Sequence, residues 1–272
     1  LSVPSCLTKT HTKIYVVSVG HPFIHLAYGY EFQSKQVITE AVSLGCTEYD
    51  YTHKFLDSPP PDNSTYKTRQ LADVIAHIQK DARFDGYSDH PGFANIFALW
   101  AKYESEILEH WNALVVDDVS AQLKDWLHTA ALLAVGTAEA IGGYDFYLAH
   151  VLTVGHALRI LLPHIPEKHR VATMRQFALF AIFVYLAQLR PKFESDESAS
   201  ANGDCENWDE IYRKALASEW FKDLHWPKVI RALKEVELVR ESEGEFYRKA
   251  AAKFISEFGG WTGFGLGIDA IQ

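Results

Sequence analysis

Along most of the chain, apolar residues recur at intervals of three and four, the period of a helix with one face turned to a core. In 68–81, Leu71, Val74, Ile75 and Ile78 form one such stripe. In 94–115, Ile96, Leu99, Trp100, Tyr103, Ile107 and Trp111 form another. Residues 37–44 read as a short amphipathic helix. Residues 120–141 are apolar and alanine-rich, which predicts a buried helix closed by Gly142-Gly143. Helices over 145–162 and 167–189 follow, stopped by Pro163 and Pro166 and by Pro191. Segments 208–216, 227–240 and 245–258 continue the pattern. The proline-rich run 58–64 predicts a loop, and the polar run 194–207 predicts a flexible one. No run alternates as a strand does, and no internal repeat is evident. The expected fold is all-α: one large multi-helix globular domain over 1–272, with a buried site between helices.

Composition narrows the partners. Of the 272 residues, 48% are hydrophobic and 13% aromatic, enough for a large core and too many for a disordered chain. The net charge of −9, with no long basic run, argues against nucleic acid or an anionic membrane surface as partner. Cys6, Cys46 and Cys205 are too few and too scattered for a disulfide framework or a zinc knuckle, which fits a cytoplasmic protein. No secretory leader and no apolar run of about 18 residues is apparent. Leu1-Ser2-Val3-Pro4 reads as the interior of a longer chain, so a preceding segment is expected.

Three segments carry candidate chemistry. In His21-Pro22-Phe23-Ile24-His25-Leu26-Ala27-Tyr28-Gly29, a helical conformation places His21 and His25 at i and i+4, with side chains on one face. Two neutral imidazoles at that spacing suit one metal ion, although many such pairs are two ordinary histidines. The apolar flanks Phe23, Ile24 and Leu26 argue for a buried face, where an unpartnered imidazole is costly. Gly29 permits close backbone approach, and Glu31 is either a second partner or a surface charge. In Asp145-Phe146-Tyr147-Leu148-Ala149-His150, a histidine sits in a strongly apolar helix, with Thr153 one turn on to orient it. It is either a ligand or a core histidine bonded to backbone. His156, six residues further, points about 120° away and would not share a metal with His150. In His225-Trp226-Pro227-Lys228, Pro227 suits a first helical turn. A lysine ammonium has no lone pair and ligates only if carboxylated; a surface lysine beside a capping histidine is the plainer reading. No dinucleotide fingerprint, P-loop, H-E-x-x-H or nucleophile elbow is present, which disfavours a Rossmann-type flavin oxygenase.

Together these segments resemble a known family. The run H-P-F-I-H-L-A-Y-G-Y-E-F from His21 is similar to the H-P-x-I-H-L-G-x-G-x-E-F signature of the questin oxidase-like family, which includes fungal enzymes of anthraquinone and aflatoxin-type polyketide pathways. D-F-Y-L-A-H-V-L-T from Asp145, H-W-P-K-V-I-R-A-L from His225 and W-T-G-F-G-L-G-I-D-A from Trp261 resemble three further family elements, in order. Two features depart: Ala27 replaces the family's glycine, and nothing here matches its upstream histidine-rich element. The resemblance implies an oxidoreductase that uses molecular oxygen to cleave the quinone ring of an aromatic polyketide. It implies non-haem iron, Fe(2+), held by histidines and a carboxylated lysine, with NADPH invoked for some members. Carried onto this chain, His21, His25, His150 and His225 become candidate ligands and Lys228 the modified lysine, with His21, His25, His150 and Lys228 as the catalytic set. Tyr28, Tyr147 and Trp226 are the expected aromatic walls for substrate. The alternatives are a metal-free NADPH-dependent oxidase of Baeyer–Villiger type and a non-catalytic polyketide-binding protein.

Overall fold

A computed structural model describes residues 19–47, 54–58, 60–193, 206–240 and 244–265. In chain order its helices are α1 (His21–Glu31), α2 (Lys35–Thr47), α3 (Lys54–Asp57), α4 (Leu71–Lys80), α5 (Asn95–Asn112), α6 (Val119–Ala131), α7 (Ala138–Ile141), α8 (Phe146–Leu161), α9 (Glu167–Ala187), α10 (Trp208–Ala217), α11 (Trp226–Glu237) and α12 (Gly244–Glu257). A π-helical turn, Leu132–Gly136, joins α6 to α7. The all-α expectation holds, with one addition. Tyr144–Asp145 (β1) and Trp261–Thr262 (β2) pair as a two-residue parallel ladder, too short to leave an alternating pattern in the sequence. Cys6, Cys205 and residues 194–205 of the expected loop lie outside the described residues.

Two helices form the centre. Along α8 nearly every residue from Phe146 to Leu158 is buried, and α9 is buried continuously from Gln176 to Ala187. Helices that are apolar all round belong in the middle of a fold. Phe146–His164, which is α8 with the short turn after it, and α9 are by length and composition apolar enough to cross a membrane, but 83% and 78% of their apolar windows are buried inside the protein. Helices α1, α6, α9 and α11 pack around α8. Beyond α9, Leu189 and Arg190 take positive φ (62° and 54°) before Pro191, so the helix stops where the proline requires. The stripe Leu71, Val74, Ile75, Ile78 is fully buried, as its spacing predicts.

Helix α1 is held at both ends by close approach. Gly20, with φ 75°, precedes it, and a Cβ there would lie 2.4 Å from Val154 Cγ2 on α8. A Cβ on Gly29 would lie 2.6 Å from Ile38 Cγ1 and 2.9 Å from Ile38 N on α2. The glycines therefore set how near α1 sits to α8 and α2.

Candidate metal centre

Three histidines from three helices converge. His21 opens α1, where Gly20 in the left-handed region and Pro22 in the first turn start the helix. His150 lies on the second turn of α8, whose N-terminus is capped by Asp145: its Oδ1 accepts from the backbone N–H of Tyr147 and Leu148, each at 2.8 Å. His225 immediately precedes α11, where Asp223 Oδ1 accepts from the backbone N–H of His225 (2.8 Å) and Trp226 (2.7 Å). Nε2 of His21 lies 3.3 Å from Nε2 of His150 and 3.5 Å from Nε2 of His225. One ligand atom from each of the three falls within 4.8 Å of the other two.

The two separations from His21 are close to those of a coordination site. Two nitrogens bound to one ion at about 2.0–2.1 Å, at octahedral to tetrahedral angles, stand about 2.9–3.4 Å apart. The ring of His150 is also oriented for ligation. Its Nδ1 lies 2.7 Å from the carbonyl oxygen of Phe146. A carbonyl only accepts, so Nδ1 carries the proton and Nε2 keeps its lone pair, facing His21. Burial, then the positive charge His21 and His225 would carry, push the His150 pKa well below its ordinary value. Burial, then Lys228 and His21, push His225 down to about 4. Both rings are neutral at neutral pH, the state a metal needs.

The other expected residues are distributed around this centre. His25 is one turn along α1, its ring 5.9 Å from that of His21, with Nδ1 3.4 Å from Glu40 Oε1 on α2. His21, rather than the pair His21/His25, is the hub. Lys228 is largely buried; desolvation lowers its pKa, with Asp223 opposing, and its charge lowers the pKa values of His25, His225 and His150. Thr153 does not orient the His150 ring: its hydroxyl donates to the His150 backbone carbonyl at 3.2 Å. Tyr147 and Trp226 are fully buried, Tyr147 stacked on Phe93 and Trp226 on Phe254. Tyr28 stacks on Phe32 and faces His156. Phe146 lies against two of the histidines, 4.6 Å from His150 and 4.5 Å from His225 between ring centroids.

This chain belongs to the questin oxidase-like family, whose pattern it matches over residues 13–233. The match contains all three converging histidines, His25 and Lys228. No curated protein matches the chain. Membership makes it an oxidoreductase acting on a small molecule of polyketide metabolism.

Several residues that shape the site were not legible as such in the sequence. Asp145 and Asp223 position the two ligand helices; an aspartate just before a helix start was the available signal. A second polar cluster lies further along the same three helices. Glu31 on α1 bonds Arg231 on α11 (2.6 Å), so it is not a surface charge, and its other oxygen is 3.8 Å from His156 Nε2 on α8. His156 is buried with neither ring nitrogen hydrogen-bonded, and it takes no part in the centre. The pairing of residues 200 positions apart leaves no local sequence signal.

Proposed function

We propose that the chain is a metal-dependent oxygenase, with iron(II) held by His21, His150 and His225 and further anchored by Lys228 carboxylated on its amine. The observation that carries this reading is the convergence of three Nε2 atoms from three helices, one of them fixed in the ligating tautomer by Phe146. Iron(II) bound there would supply the activation of molecular oxygen, which protein side chains do not perform alone.

The chain's own residues account for the surroundings. Burial keeps His150 and His225 neutral, with lone pairs available. Phe146 covers both rings on one side and excludes water there. The desolvation that disfavours the Lys228 ammonium favours the free amine, the form that adds carbon dioxide. The resulting carbamate replaces a positive charge beside neutral imidazoles with a negative one, which favours a divalent cation. His25 is the fourth imidazole within reach of the same helix face. The substrate class is an aromatic polyketide with a quinone ring, cleaved beside its carbonyl with molecular oxygen. Tyr147 and Trp226, expected as walls for substrate, are packed into the core, and Tyr28, half-buried, stands further along α1.

Metal content of the purified protein and of the His150→Ala and Lys228→Ala variants tests this. Near-stoichiometric iron in the parent, lost from both variants, is expected. Iron retained in both variants overturns the ligand assignment. Oxygen-dependent turnover with NADPH in metal-free protein, unaffected by a chelator, would favour the metal-free route. Polyketide binding without oxygen uptake would leave a binding protein.

A further inference from the structure

The segment Trp261–Gly265 crosses the N-terminal ends of both α8 and α11. Its first two residues pair with β1, Trp261 opposite Tyr144 and Thr262 opposite Asp145. Trp261 Nε1 donates to Asp223 Oδ1 at 3.2 Å, the same oxygen that accepts the backbone N–H groups of His225 and Trp226. Gly263 lies against Asp145: a Cβ there would fall 2.1 Å from Asp145 Oδ2, and its φ of 94° disfavours any side chain. With its amide nitrogen turned inward, Gln188 donates to Asp145 Oδ2 (2.7 Å) and to the Gly263 carbonyl (3.1 Å). The segment thus contacts both carboxylates that cap the helices carrying His150 and His225. It also supports Phe146 from behind, with Phe264 at 5.1 Å and Trp261 at 5.8 Å between ring centroids. Phe146 in turn abuts both histidine rings.

We propose that Trp261–Gly265 is a strap that positions His150 and His225 relative to one another, with Trp261 and Gly263 as positioning residues for the metal centre. Neither residue touches a histidine. Each acts through a carboxylate: Trp261 through Asp223 at the start of α11, Gly263 through Asp145 at the start of α8. The two helix starts are 80 residues apart in sequence and have no backbone hydrogen bond to each other. The strap therefore ties together ends that α8–α11 packing alone leaves to side-chain contacts. It lies past residue 233, where the family match ends, in the run from Trp261 that resembles a C-terminal family element. The consequence for metal affinity rests on the metal-centre reading above; the consequence for ring placement does not.

The test compares Trp261→Phe, which keeps an aromatic ring but removes the Nε1 donor, with Gly263→Ala, which drives a methyl into Asp145. Gly259→Ala is the control, since a Cβ there meets nothing within 4 Å. Co(2+) is the probe, titrated by its visible absorption into metal-free protein. Residues that orient ligands from outside the coordination shell typically carry about ten-fold or more in metal affinity. A loss of about ten-fold is expected for Gly263→Ala and a smaller one for Trp261→Phe, with an altered Co(2+) spectrum, unchanged helical circular dichroism and an unaffected control. In the metal-free protein, the ring nitrogen resonances of His150 and His225 are expected to shift in both variants, while those of His110 on α5, held by Tyr66 (3.0 Å) and Asp81 (2.9 Å), stay. Parent-like affinity, spectrum and ring resonances in both variants would overturn the strap's role. A parent protein that binds no Co(2+) would defeat the metal reading alone, leaving the ring resonances to decide the strap. If Gly263→Ala does not fold, Trp261→Phe decides by the same measurements.

Discussion

His150 donates its Nδ1 proton to the carbonyl oxygen of Phe146, four residues earlier on the same helix, at 2.7 Å. This bond occupies a carbonyl that already belongs to the helix ladder and leaves the opposite nitrogen as an acceptor facing His21. The first prediction concerns that tautomer. Ring nitrogen spectra of the metal-free protein should show His150 protonated at Nδ1 only, and unchanged from pH 8 to pH 5, because burial holds its pKa well below the ordinary value. A His150 doubly protonated at pH 6 would contradict the account.

The second prediction concerns Lys228. Incubation with labelled bicarbonate should give a carbamate carbon resonance in the parent that Lys228→Arg lacks, since an arginine stays protonated in proteins. Lys228→Ala should lose metal, with partial recovery on adding a short carboxylic acid such as acetate. Recovery by ammonium instead of acetate would point to a role for the amine itself.

The third prediction concerns acid stability. Burial, then Arg159 and Arg231, hold His156 down to about 3. In the unfolded chain the ring protonates near its ordinary 6.5, so the unfolded state takes up the proton first. The stability is present above pH 6.5, falls as the pH drops below it, and its loss is complete near pH 3. At about 1.4 kcal/mol per pH unit, that interval is worth roughly 4–5 kcal/mol at most. His156→Leu should therefore unfold less steeply with acid, measured as denaturant midpoints at pH 8 and pH 5. Parallel loss in parent and variant would reject the assignment.

Asp145 gives the fourth, with the opposite sign. Burial pushes its carboxyl up to about 7, against the pull of the Leu148 and Tyr147 backbone N–H groups. Its folded pKa is thus above the unfolded value of about 3.9, so its contribution is complete below pH 4 and is lost as the pH rises through 7. Asp145→Asn keeps an oxygen to cap α8 and cannot ionise. It should equal or slightly trail the parent at pH 4.5 and exceed it at pH 8, by up to roughly 4 kcal/mol if the carboxylate gains nothing from Gln188. Equal stability of parent and variant at pH 8 would show that Gln188 and the backbone donors stabilise the charged form fully.

Much of the architecture followed from local pattern. The stripe at Leu71, Val74, Ile75 and Ile78 predicted a buried helix face because helical periodicity is a property of neighbours, and the same holds for the proline and glycine stops at Gly142 and Pro191. Spacing and apolar flanks marked His21, His25 and His150 as chemically interesting, while His225 and Lys228 became candidates only through the resemblance to the family's elements. Tertiary packing decided how they combine. The i,i+4 rule makes His21 and His25 equivalent on one face, yet α8 and α11 both meet α1 at its first residue, so His150 and His225 join His21, while His25, one turn on, turns toward Glu40 on α2. The strap and the Glu31–Arg231 pair join residues tens to hundreds of positions apart, and no local period encodes such contacts. Sequence by itself determined that these histidines would lie on or beside helices and offered them as candidates. Only the packing of α1, α8 and α11 at their N-terminal ends decided which three converge, because that choice depends on how whole helices cross rather than on the order of residues within any one of them.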